Sequence, residues 1–406
     1  MNKPYTKLDI FKKISLVLLL LPVYLGSYLS QEFNLPSLAF LVIILAPFYF
    51  QNLDKLIESF YNLTSVRSFK YLILLVAYSL ISLIYSLNSS LGFSIIAIII
   101  LSVFVGVLFS QFKVMEIYKY IAWSGLTYTI ILYLEIPHLF FNYFTESQRF
   151  AYYHGDISMN PNYYSVFLIF FIIYFLYSII KSNSRFTRLI NLLAFCLTVF
   201  FIFETQSRTG FVTVILILLF AFIIRKNMQT IIVSSLFVTF LLFVLLLNVN
   251  FNFESRLFEA DVNNRDNNWK VAIEKYIESP QSILFGNGMG SSSIVIGESN
   301  NVYFAINEKG QRVADAHNMY IEYLLDVGII GLILLCAYLI GLAVFNYKDS
   351  TYLNFLPSLL IIIVILLSGL AGNQTRSYHF MIMFSIVIAN TIQRKKKLNK
   401  GDLKPK

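Results

Sequence analysis

Twelve apolar runs of membrane-crossing length divide this chain: 14–29, 35–50, 69–87, 91–110, 118–135, 163–180, 189–205, 209–224, 230–250, 319–345, 353–371 and 378–392. A helix needs about 20 predominantly apolar residues to cover the hydrocarbon core of a bilayer. The composition agrees, with 57% hydrophobic and 13% charged residues and a mean hydropathy of +0.69, against about half and about a quarter in soluble domains. A soluble enzyme, a disordered chain and a nucleic-acid binder are excluded. The expected fold is an all-α polytopic membrane protein of about 12 transmembrane helices with one large extracytoplasmic loop.

Cys196 and Cys336 both fall inside apolar runs, so neither a disulfide framework nor a Cys-based zinc site can be built from them. The first apolar run lacks a small-residue cleavage site and reads as a retained signal anchor. With the N terminus in the cytoplasm, 22 of the 31 Lys and Arg fall in cytoplasmic segments and 9 outside. The positive-inside rule then places both termini in the cytoplasm. Most of the +9 net charge is therefore topology. Arg394, Lys395, Lys396 and Lys397 read as a solvated anchor near anionic lipid. Three parts are expected: an N-terminal helical region over 1–135, a catalytic membrane region over 136–392 that includes the loop 251–318, and a basic cytoplasmic tail over 393–406.

The two sets of basic residues differ in kind. Inside, 5 of 22 are Arg; outside, 6 of 9 are Arg, namely Arg149, Arg208, Arg256, Arg265, Arg312 and Arg376. Guanidinium grips phosphate or carboxylate through a planar fork, whereas Lys is a point charge on a flexible stem. The outer face reads as built to hold an anion, although outward Arg also serve as ordinary partners of loop carboxylates. Only two outer segments are large, 136–162 and 251–318, and no internal repeat of the kind common in transporters is visible.

Four constellations could carry chemistry. The first is Glu204-Thr-Gln-Ser-Arg208-Thr-Gly210. The run after it, 209–224, spans about 24 Å as a helix, short of a core of about 30 Å. Arg208 is thus expected below the outer headgroups, a depth at which arginine is costly unless it faces a wet cavity or an anion. The second begins at Arg265 and continues through Trp269, Ile273, Tyr276 and Ile277, apolar at helical spacing. It describes an amphipathic helix ended by Pro280 that lies on the membrane or caps the bundle. The Gly286-Asn-Gly288-Met-Gly290 cluster that follows lacks the Lys-Ser/Thr of a P-loop and reads as a tight turn.

The third constellation opens with His317-Asn318 and continues through Tyr320, Glu322, Asp326, Gly328 and Gly331. The apolar run beginning at Met319 would measure about 40 Å if helical throughout, which lifts its first turns above the hydrocarbon and His317 to the outer mouth of the bundle. Asn318, Glu322 and Asp326 share one face; Gly328 and Gly331 permit close helix approach. A neutral imidazole there can act as a general base, and can equally be a structural helix-start residue. The fourth runs from Arg149 through His154 and Asp156 to Asn160-Pro161-Asn162, a turn and helix start. A metal site is poorly supported: there is no Asp-x-Asp and the four His are scattered.

The order of these motifs resembles the O-antigen ligases, the O-antigen and capsule repeat-unit polymerases and the bacterial protein O-oligosaccharyltransferases. The matching features are the Ser207 to Gly210 turn, the loop carrying Arg265, Trp269, Pro280 and the Gly286 to Gly290 cluster, and His317-Asn318 leading to Gly328-Ile-Ile-Gly331. The resemblance implies a bacterial plasma-membrane glycosyltransferase, without metal or other cofactor, acting at the outer face on an undecaprenyl-diphosphate-linked glycan. It assigns Arg208 and Arg265 to the diphosphate and His317 to the acceptor's proton; Arg149, Asn318, Arg312 and Arg376 are further candidates for substrate contact. The implied partners are the lipid-linked donor, a glycan acceptor, the bilayer and other polysaccharide assembly proteins, and no nucleic acid. Repeat-unit polymerisation is the expected activity, with transfer to another acceptor, the ligase reaction, as the alternative. A polysaccharide flippase, the alternative from another class, would spread its cations through many helices and keep its loops short.

Overall fold

The computed structural model describes residues 53–133, 142–144, 150–154, 157–158, 161–225, 265–299, 302, 304–307, 309–347, 356–370, 372 and 378–401. The expected spans 14–29, 35–50 and 230–250 and the candidate residues Arg149 and Arg376 lie outside the described residues. Among the described residues there are thirteen α-helices: α1 (Leu53–Thr64), α2 (Phe69–Ser82), α3 (Ser89–Phe109), α4 (Val114–Tyr133), α5 (Pro161–Lys181), α6 (Arg185–Glu204), α7 (Arg208–Arg225), α8 (Arg265–Tyr276), α9 (Pro280–Phe285), α10 (Ser292–Gly297), α11 (Met319–Tyr347), α12 (Leu356–Ser368) and α13 (Tyr378–Asn399). Short antiparallel ribbons, β1 (Asn142–Phe144), β2 (Phe150–His154) and β3 (Ile157–Ser158), then β4 (Ala305–Ile306) and β5 (Arg312–Val313), decorate the loops.

Each of the nine expected spans that falls on described residues coincides with a helix, α2 to α7 and α11 to α13. By length and apolarity, α3, α5, α6 and α11 suffice to cross a membrane, and α1 with α2 form a fifth candidate bent by 95°. The chain is thus an all-α, multi-pass membrane protein with four to five candidate spans among the described residues.

Burial follows hydrophobic pattern. Helix α5 is apolar on all sides, which suits a helix enclosed by others rather than one facing a polar phase. It is buried almost throughout and packs against α4, α6, α7 and α12. Tyr118 stacks on Phe170 at 4.3 Å and its hydroxyl bonds the Phe170 carbonyl, joining α4 to α5. Helices α3 and α13 approach through small residues: a Cβ at Gly106 would lie 2.7 Å from Ile388, and Ser385 Oγ donates to the Ser102 carbonyl at 3.0 Å. Close backbone approach of this kind is how helices associate where lipid removes the hydrophobic drive.

Two expectations need correction. Helix α11 is not one straight rod, because Val327 and Gly328 break it, Gly328 with φ of 63°. A Cβ at Gly328 would sit 2.3 Å from the Leu284 carbonyl oxygen, so the left-handed kink and the passage of α9 both require glycine. Residues 329–347 alone span about 28 Å, close to the hydrocarbon thickness, and 319–326 form a separate helical piece before the break, with Met319 packed near Leu335 and Tyr338. At the far end of the bundle, α13 continues to Asn399, well past the apolar run. Arg394 is only 3% exposed and lies 3.9 Å from the Phe345 ring, and Lys396 meets Glu58 at 3.6 Å and Ser59 Oγ at 3.0 Å. The start of the basic tail is therefore packed against α1 and α11. Hydropathy missed this because a guanidinium over an aromatic face and a lysine stem along a helix can be buried without apolar side chains.

Candidate functional site

One end of the bundle gathers four helix N termini. Ser207, just before α7, donates through Oγ to Asn162 Oδ1 at 2.8 Å and accepts from Ser165 Oγ at 3.0 Å, tying α7 to the start of α5. The Gly210 amide donates to the same Ser207 oxygen at 3.1 Å, and a Cβ at Gly210 would lie 2.6 Å from Ser165. At the start of α13, the His379 ring stands 4.3 Å from Phe167 of α5. The Met319 amide, at the start of α11, donates to the Gly369 carbonyl just past α12 at 2.7 Å, and the Tyr320 hydroxyl to the Leu366 carbonyl at 2.7 Å. The motif turns at Ser207 and His317 thus stand at the same end of the bundle. Unpaired amides and aligned peptide dipoles at helix N termini favour anions.

The described residues of 265–318 form a cap at this end, with a small core of Val271, Ala272, Val295, Ile296, Val302, Ala314 and Ala316 closed by Leu325 of α11. Helix α8 presents Asn268 and Trp269 to the extended segment between β5 and His317. Asn268 Nδ2 donates to the Asp315 carbonyl at 2.8 Å, and the Trp269 indole to the Ala316 carbonyl at 2.6 Å. Arg265, half-buried, is the first residue of α8 and lies one turn before Trp269, on the flank that meets the His317 turn. Pro280 does not end α8. It opens α9, where Ser279 and Ser282 form a capping box, because proline fits the first helical position and its missing amide costs nothing there.

The backbone marks the same two turns. The non-glycine residues with positive φ among the described residues are Gln206 at 49° and His317 at 52°. Left-handed backbone costs a non-glycine residue about 1–3 kcal/mol and persists only where the surroundings enforce it, often at functional sites. One precedes Ser207-Arg208; the other is the expected base itself. Arg208 begins α7 and is half-buried, as is His317.

The other expected contacts divide. Asn318 is an N-cap: its Oδ1 accepts from the Tyr320 and Ile321 amides at 3.0 and 3.2 Å. Glu322 and Asp326 are buried with Asn318, and Asp326 Oδ1 accepts from the Ser292 amide at 2.6 Å, which anchors α10 to α11. Asp326 thereby holds the cap. Arg312 is exposed on β5, its guanidinium 4.4 Å from the Phe304 ring. His154 ends β2, paired in register with Ile157.

The glycine cluster is a packing clamp. Gly286, Gly288 and Gly290 all have positive φ, and a Cβ on any of them would lie within 2.6 Å of backbone: Asp326 for Gly286, Ser86 for Gly288 and Gly92 for Gly290. Ser86 Oγ donates to the Met289 carbonyl at 2.7 Å, and the Asn287 amide to the Leu325 carbonyl at 2.8 Å. The cluster joins the α2–α3 corner to the α11 kink. Among the described residues, no three His, Cys, Asp or Glu side chains converge as a cation site.

Ser165 and His379 escaped the sequence reading. Both sit inside long apolar runs, and a polar residue within such a run is the signal that could have found them. Residues 192–336 match the family described as O-Antigen ligase (Wzy_C). That stretch takes in the Ser207 turn, the cap and the His317 turn. No curated protein matches the chain.

Proposed function

We propose, for a chain that belongs to the O-antigen ligase family over residues 192–336 and is therefore a membrane glycosyl-transferring enzyme, that it polymerises undecaprenyl-diphosphate-linked repeat units into a surface polysaccharide. The observation that carries this reading is a pair of strained turns within that stretch, one at Gln206, two residues before Arg208, and the other at His317 itself. The proposed orientation puts both termini in the cytoplasm and that end outside, in a bundle of about twelve spans with residues 136–392 as the catalytic region.

In the proposed reaction, an acceptor hydroxyl attacks the anomeric carbon of the donor's first sugar from the face opposite the diphosphate. The new glycosidic C–O bond forms as the bond to the diphosphate oxygen breaks, with inversion. Its electron pair leaves with the diphosphate, and the acceptor proton passes to the His317 imidazole. Arg208 and Arg265, with the helix N termini, stabilise the leaving charge; preorganised cations in a site shielded from water do this without a metal. Arg149, Arg312 and Arg376 are proposed to contact substrate more peripherally.

A ligase reaction uses the same donor chemistry with a different acceptor, and the description of the matched family favours it as the second reading. Deleting the gene and sizing the surface glycan separates them. Polymerase loss is expected to leave single-repeat products; long chains unattached to their usual acceptor would instead establish the ligase.

A further inference from the structure

The cap presents two unlike surfaces. On α8, Asn268, Val271 and Ala272 face inward. A helix with one buried face and water on the other should be polar on its outer side. The first turns of α8 obey, with Asp266, Asn267 and Lys270 exposed. The end of α8 does not: Ile273 is 50% exposed, Ile277, just past the helix, is 60% exposed, and Leu284 and Phe285, at the end of α9, are each 44% exposed. These four belong to one hairpin, because the Tyr276 hydroxyl donates to the Ile283 carbonyl at 3.2 Å and Ser282 Oγ to the Tyr276 carbonyl at 2.9 Å.

The position of this tip follows from two tyrosines. The Phe285 carbonyl accepts from Tyr78 Oη at 3.3 Å and Tyr85 Oη at 3.1 Å, so the tip lies beside the last two turns of the α2 span. Ile81 and Ile84 there are 61% and 87% exposed, the pattern of a lipid-facing surface. Tyrosine with its ring in hydrocarbon and its hydroxyl bonded marks the membrane interface. The apolar tip therefore continues the lipid-facing surface of α2, while Glu274, Lys275 and Glu278 supply a charged rim at headgroup level.

We propose that the α8–α9 tip, through Ile273, Ile277, Leu284 and Phe285, is inserted among the acyl chains of the outer leaflet beside α2. The cap is then tethered to the bilayer along one edge, and the other end of α8, where Asn268 and Trp269 bond the Asp315 and Ala316 carbonyls, stays at the aqueous side. This rests on the proposed orientation, and the test separates the two. Single cysteines replace Ile277 or Phe285 in the full chain carrying Cys196→Ala and Cys336→Ala. Each is labelled with an environment-sensitive nitrobenzoxadiazole dye and reconstituted in liposomes containing phosphatidylcholine doxyl-labelled in its acyl chain. Emission at both sites is expected to be blue-shifted, quenched by the doxyl lipid, and at least threefold less sensitive to iodide than a label at Gln311→Cys on the exposed hairpin. Ile273→Cys gives the same readout should either variant accumulate poorly.

Iodide sensitivity equal to that at 311 places the tip in water and overturns the proposal. Protection from both quenchers means that protein, such as a second copy, covers the tip, which also overturns it. In intact cells, an impermeant maleimide is expected to label Gln311→Cys and spare Asn183→Cys. The reverse pattern defeats the orientation and with it the outer-leaflet assignment, whereas insertion itself is read from the doxyl arm alone.

Discussion

His317→Ala is expected to lower turnover by about 10²- to 10⁴-fold while leaving donor affinity nearly unchanged, because a general base acts only as the bond forms. The left-handed backbone at this position supplies a sharper control. Histidine and asparagine tolerate positive φ better than alanine does, so part of any defect in His317→Ala could come from relaxation of the turn at 52°. His317→Asn keeps that backbone preference and removes the base. It should accumulate as folded protein at the wild-type level and still lose turnover by the same order. Equal activity in His317→Asn and wild type would reduce the histidine to a turn-former held by the Asn268, Trp269 and Met319 contacts.

Arg208 is expected to fail differently. The guanidinium is proposed to hold the diphosphate in the ground state and more strongly as it leaves, so Arg208→Ala should cost about 10²- to 10³-fold in turnover and weaken donor binding as well. Arg208→Lys keeps the charge but loses the planar fork, and should recover only part of either. The comparison is clean because the turn is built by its neighbours: Ser207 bonds Asn162, Ser165 and the Gly210 amide. Measured donor binding and turnover for the two variants check this. A variant that binds donor like wild type and loses only turnover would move the ground-state contact to another residue, with Arg265 the first to test.

What could be read from the chain in advance was what one-dimensional apolarity encodes. All nine expected spans on described residues are helices. The rest depended on contacts between distant segments. The α11 break follows from a carbonyl of Leu284 arriving where Gly328 has no Cβ, and nothing near Gly328 in the sequence announces Leu284. Asn318, Glu322 and Asp326 do fall at helical spacing, but their direction is set by the cap, whose amide at Ser292 takes up Asp326. Arg394 carries the charge that marks a solvated tail, yet its environment is fixed by Phe345 on another helix. For α8, the sequence gathered Trp269, Ile273, Tyr276 and Ile277 on one stripe; the fold divides it, turning Trp269 to Ala316 and leaving the two isoleucines outside.

The most direct test of the central claim is the reaction itself: purified protein in liposomes with a defined undecaprenyl-diphosphate-linked repeat unit, in excess chelator. The account predicts release of undecaprenyl diphosphate matched to the new glycosidic bonds, inversion at each linkage, a ladder of repeat lengths, and loss of all three signals in His317→Asn. Transport of the donor without release of diphosphate, retention of configuration, or turnover that requires added divalent cation would contradict it.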